Sequence, residues 1–197
     1  MDKELTVPVQ SVPIPAASAS LLWKASIVLA GSAFLAVSAH IALPLYFTPV
    51  PLTMQTFAVL ALGLMLSPQL AADTMLAYLV EGAVGLPVFA PTPGLTGLAH
   101  LIGPTGGYLL AYPLAAALIS ILWRKSGRSF TAAVISAALG DLVILSSGVL
   151  GLAVFTHASL RPVLAIGFMP FLPGEALKVA AVAGFALGLQ RFRRNPA

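Results

Sequence analysis

Six long apolar runs follow one another along this chain, at residues 23–43, 52–66, 72–90, 106–123, 130–155 and 174–189, each bounded by Pro or Gly clusters or by charges. A helix that crosses the hydrocarbon core needs about 20 residues, so a chain of 197 residues holds six such spans and has no room for eight. Nor is there length for a soluble second domain. The reading is one all-α integral membrane domain of six transmembrane helices over residues 21–190. It is preceded by a flexible Pro- and Ser-rich tail at 1–20 and followed by a basic cytoplasmic tail at 191–197. Lys24 at the start of the first run imitates the start of a signal peptide, but the tail ahead of it is long and partly acidic, and a retained span is favoured.

Composition excludes the soluble alternatives. Apolar residues make up 59% of the chain and charged residues 8%, against about 25% charged in an ordinary soluble domain. Cysteine is absent, which removes disulfides, thiolate metal sites and cysteine nucleophiles together. His40, His100 and His157 are too far apart in the chain for zinc-ligand spacing, so no metal and no cofactor are expected. The chain has no Gly-x-x-x-x-Gly-Lys-Ser/Thr loop and cannot by itself hydrolyse ATP by that chemistry.

The net charge of +4 fits membrane orientation better than nucleic-acid binding. With six spans, Lys3, Lys24, Arg124, Lys125, Arg128, Arg191, Arg193 and Arg194 all fall on one side. Arg161 falls on the other, and Lys178 lies within the last span. The positive-inside rule then puts both termini in the cytoplasm. The outer connections, 44–51, 89–105 and 155–173, are long, apolar and rich in Pro and Gly, and irregular backbone of that kind cannot face lipid. Their aromatic residues, Phe89, Tyr108 and Phe171 among them, admit two readings: an interfacial belt, or the walls of a pocket open to the outside.

Four acids lie in or beside the spans. Asp73 reads as the cap of the third helix. Glu81, placed near mid-bilayer, needs a hydrogen-bond donor or a proton, since an unpaired carboxylate there costs at least about 2.5–3.5 kcal/mol. Asp141, after Gly140, reads equally as a buried helix–helix hydrogen bond and as a binding group. Glu175 and Lys178 share a face of the last helix, which Pro173 can begin. They are either a capping acid with a snorkelling lysine, or an acceptor and a donor aimed together into the outer cavity.

Four strings occur in order: Pro49-Val50-Pro51-Leu52-Thr53-Met54-Gln55-Thr56, the stretch from Gly82 through Gly85-Leu86-Pro87-Val88-Phe89-Ala90, Gly103-Pro104-Thr105-Gly106-Gly107-Tyr108, and Pro173-Gly174-Glu175-x-x-Lys178. Together they resemble the BioY family, the biotin-capturing S components of energy-coupling factor transporters. The resemblance implies a six-helix S-component fold in the cell (inner, cytoplasmic) membrane, with biotin held under the outer loops. The residues expected to bind it are Gln55, Phe89, Thr105, Tyr108, Asp141, Phe171, Glu175 and Lys178. The family commonly has Asp at the position of Glu175. Besides biotin and membrane lipid, the implied partners are a transmembrane coupling protein and two ABC-type ATPase subunits; no nucleic acid is involved. Coupling partners usually dock on small residues of the first helix, which here points to Ser32, Ala36 and Ala39. The competing readings are a self-sufficient, proton-coupled secondary transporter using Glu81 and Asp141, an S component for another vitamin, and an intramembrane enzyme, for which no nucleophile–base pair is present.

Overall fold

The computed structural model describes residues 16–92 and 94–194; most of the expected tail at 1–20 and the last three residues of the basic tail lie outside them. The described residues form helices α1 (Ala16–His40), α2 (Gln55–Met65), α3 (Pro68–Ala83), α4 (Ala99–Ile102), α5 (Gly106–Lys125), α6 (Phe130–Thr156), α7 (Leu160–Gly167) and α8 (Leu172–Arg194). Between α1 and α2, the strands β1 (Ala42–Leu43) and β2 (Leu52–Thr53) pair antiparallel, with Ala42 opposite Thr53. The fold is thus helical apart from this short hairpin, which an all-α reading did not include. The hairpin, α4 and α7 gather at one end of the bundle, here the loop end; Arg124, Lys125 and Arg128 mark the opposite, basic end.

Local chemistry sets the helix boundaries. Ser67 caps α3, its Oγ accepting from the Leu70 amide at 3.4 Å, and Pro68 follows in the first turn. Asp73 therefore stands inside α3 on an exposed face and does not cap it; the cap signal was Ser-Pro, six residues earlier. Ser129 caps α6 in the same way, accepting from the Ala132 amide at 3.2 Å. α3 stops at Ala83 because Gly85 turns into the left-handed region at φ +100°. The expected third run to residue 90 is broken there.

Among the described residues, four helical segments are long and apolar enough to cross a membrane: Ser20–His40, Gly106–Lys125, Phe130–Thr156 and Leu172–Leu189. α2, with 11 residues, and α3, with 16, are shorter, reaching about 16 and 24 Å at 1.5 Å per residue against a core of about 30 Å. α2 is short because the start of its apolar run is taken into β2.

α5 is the hub, packed along α6 and also against α2 and α3, while α1 lies on α3 and α2, and α8 on α6 and α2. At Gly107 and Gly151 the α5 and α6 backbones touch: a Cβ on Gly151 would come within 2.6 Å of the Gly107 Cα. The outward faces carry Leu110, Leu114, Leu150, Val154 and Leu177, all exposed. Water would not tolerate so continuous an apolar surface, and lipid does. The chain is a multi-pass membrane protein.

Candidate functional site

Gln55, Phe89, Thr105, Tyr108, Phe171 and Glu175 all line one cavity at the loop end. Six of the eight residues expected at the site are thereby brought together, although they come from three helices, α2, α5 and α8, and from the three connections that precede α4, α5 and α8. The other two, Asp141 and Lys178, stand behind Glu175.

The walls are aromatic. Gly82 on α3 leaves the space that the Phe89 ring fills, so that a side chain there would collide with it. Phe89 also meets the edge of Tyr78 at 5.3 Å and the ring of His100 at 5.2 Å. Across the cavity Tyr108 donates to the Gly167 carbonyl at the end of α7, at 2.5 Å, and its ring lies 6.4 Å from that of Phe171. Gln55 braces the wall at the start of α2. Its amide nitrogen donates to the Tyr78 hydroxyl, which in turn donates to the Val88 carbonyl at 2.9 Å, and its Oε1 accepts from the Thr53 hydroxyl at 3.2 Å.

The polar floor is built around Lys178. Its ammonium donates to the Thr53 carbonyl at 2.6 Å, the Thr56 hydroxyl at 2.7 Å and Glu175 Oε1 at 2.8 Å. Thr56 also donates to Glu175 Oε1, at 3.0 Å. An ammonium has three donors, and all three are engaged by the protein. Lys178 is thereby held against Glu175, and it is not among the residues that line the cavity. Bonds to a charged group are the stronger kind, and here they offset the cost of burying an ammonium among membrane helices, about 2.5–3.5 kcal/mol when unpartnered.

Glu175 Oε2 and Asp141 Oδ1 are both buried without a partner. Glu175, whose Oε1 is taken up by Lys178 and Thr56, lines the cavity with its Oε2 buried and unbonded. That end suits a ligand offering N–H donors.

Sequence reasoning missed five polar residues that line the cavity, Thr53, Thr56, Thr92, His100 and Tyr112. Thr56 holds both Glu175 and Lys178; its only signal was its place directly after Gln55. Thr92, His100 and Tyr112 line the cavity, but the stretch from 89 to 105 has no periodicity from which to place the first two. The expected docking residues fall elsewhere. Ser32 and Ala39 are fully buried and Ala36 is half-buried, all within the bundle, and Ser32 Oγ hydrogen-bonds Glu81 on α3. The small residues let α1 approach α3 closely, so the face they form is an internal one; the outward positions of α1 include Ala33 and Val37. Glu81, two residues before the end of α3, has found its donor there.

A profile of the BioY family matches residues 9–195. The chain belongs to the BioY family. Among similar proteins, the Probable biotin transporter BioY of Pyrococcus horikoshii is 39% identical over 72% of this chain and 82% of its own length. Biotin transporter BioY2 of Lactococcus lactis is 36% identical over 86% of this chain and 91% of its own. Biotin transporter BioY of Thermotoga maritima is 36% identical over 81% and 91%. A solved structure described as the S-component for biotin from an ECF-type ABC transporter superposes with a TM-score of 0.75 at 24% identity, covering 95% of this chain and 97% of that one. This family member therefore has the S-component fold, with the hairpin, α4 and α7 gathered at one end of the bundle.

Proposed function

We propose that this chain captures biotin from the outer side of the cell membrane with high affinity, as the substrate-binding S component of an energy-coupling factor transporter. It is not an enzyme; ATP hydrolysis belongs to two ABC-type subunits that act through a transmembrane coupling protein. The observation that carries the reading is Glu175 Oε2, a buried acceptor held in place by Lys178 and left open at the floor of an aromatic cavity. Biotin's ureido group offers two N–H donors to such an acceptor, and its fused rings suit the walls formed by Phe89, Tyr108 and Phe171. The names of the relatives point the same way. In this reading α2 and α3 complete a set of six spans, with the loop end outside and the basic end, carrying Arg124, Lys125 and Arg128, in the cytoplasm.

Native mass spectrometry and titration of the purified protein test the ligand. A bound species of biotin's mass, and tight binding of biotin but not of other vitamins, are the expected results; failure to bind biotin would sink the proposal. Uptake into proteoliposomes tests the energy source. It should require the ATPase and coupling subunits, and uptake driven by a proton gradient without them would favour a secondary transporter.

A further inference from the structure

The cavity that holds Glu175 at its floor shares Phe89, Ala90, Thr92 and His100 with a second cavity beneath the 85–97 loop. His100 stands at that junction. It is 7% exposed, and neither ring nitrogen has a hydrogen-bond partner. Thr105 Oγ1, on the first cavity, is likewise buried and unpartnered. Buried polar atoms in folded proteins are nearly always satisfied, so a cluster of three with none points to a polar group supplied from outside the chain. Packing explains where the ring sits, against Phe89, but not why an imidazole is needed there.

Charge separates the two polar ends of the site. At the floor, the Lys178 ammonium is already taken up by the Thr53 carbonyl, Thr56 and Glu175, so no free cationic donor is left there for an anion. At the junction no acidic side chain lines the first cavity other than Glu175, and no Lys or Arg lines either cavity among the described residues. We propose that His100, assisted by the Thr105 hydroxyl, is the anchor for the carboxylate end of the ligand. An imidazole N–H and a hydroxyl donate to the carboxylate oxygens, while the N–H-bearing head lies against Glu175. The ligand class is an elongated molecule with donors at one end and a carboxylate at the other. This rests on the reading of the cavity as a biotin site and fixes which end of biotin lies where.

The test compares biotin with biotin methyl ester, which keeps the head and blocks the acid, by titration of the purified full-length protein. The wild type should favour biotin at least tenfold, about 1.4 kcal/mol. His100→Phe keeps a ring against Phe89 and removes both nitrogens. It should lose at least tenfold in biotin affinity, hold the ester within about threefold, and so abolish the preference. His100→Gln, which restores an N–H donor, should recover part of it, and Thr105→Val should reduce it. Should His100→Phe not fold, the Gln and Val variants decide, with discrimination between acid and ester as the readout. A wild type that binds acid and ester equally, or a full preference surviving in the variants, overturns the carboxylate anchor while leaving the biotin site standing. A wild type that binds neither overturns both.

Discussion

The Lys178 ammonium sits 2.6 Å from the backbone oxygen of Thr53, 125 residues earlier in the chain. This contact fastens α8 to the hairpin strand that leads into α2. A backbone carbonyl cannot be altered by a side-chain substitution at Thr53, so the lysine has one fixed acceptor and two adjustable ones, Thr56 and Glu175. On the proposed reading, Lys178 is a positioning residue and Glu175 the group that meets the ligand.

Lys178→Met keeps the apolar stem and removes the donors, leaving a buried carboxylate unpaired. Biotin affinity should fall at least tenfold, about 1.4 kcal/mol, and so should that of Glu175→Ala; Glu175→Asp should be milder. Because the two residues act through one another, the losses should not add: Lys178→Met with Glu175→Gln should bind better than the sum of the single changes implies. Full additivity in a double-mutant cycle would disprove the positioning role, and unchanged affinity in both single variants would disprove the site.

Small residues on α1 serve the bundle. Ser32→Trp and Ala39→Trp should force α1 from α3, lowering the melting temperature and losing biotin binding, whereas Val37→Trp, on the exposed face, should retain both. If Ser32→Trp is as stable as wild type and binds biotin normally, the internal packing of that face is wrong.

Glu81 is held by Ser32, and an amide can accept the same bond. Glu81→Gln should therefore fold and bind biotin within about threefold of wild type. A collapse of ATP-driven uptake in this variant, with binding intact, would reveal a proton-carrying role for the carboxylate.

Gly107→Val places two methyls where the α6 backbone lies. Overpacking of this kind costs about 1–3 kcal/mol, and a contact between backbones has no flexible side chain to yield. A lowered melting temperature is the expected reading; a neutral effect would contradict the helix contact.

For topology, this cysteine-free chain allows single cysteines at Arg128 and Thr96. An impermeant thiol reagent outside intact cells should label the second and spare the first; labelling of both would refute the assignment of sides.

The sequence revealed most where chemistry recurs at helical spacing. Glu175 and Lys178 are three residues apart, so their shared face follows from the helix period, and Ser67-Pro68 marks the start of α3 more firmly than Asp73 does. His100 and Thr92 were illegible as site members because α4 has four residues and the segments around it follow no period. Span lengths were overestimated at α2 and α3 because hydropathy does not separate a helical apolar residue from one in β2 or in the turn after Ala83. The α1 small residues were legible as a close-packing face, but its partner was not, since the same pattern serves an internal helix and an external one.

Lys178 and Glu175 arrive on α8, while Thr53 and Thr56, which satisfy them, precede nearly the whole bundle. During synthesis α8 must therefore enter the bilayer bearing an ammonium and a carboxylate whose proper acceptors and donors were inserted long before. Until it docks against α2, that helix is poorly suited to the hydrocarbon, and the mismatch favours its capture by the assembled bundle over a lone transmembrane state. On the proposed reading, biogenesis and ligand capture then depend on the same few atoms: a nascent bundle still awaiting α8 lacks both its final clasp and the floor of its cavity.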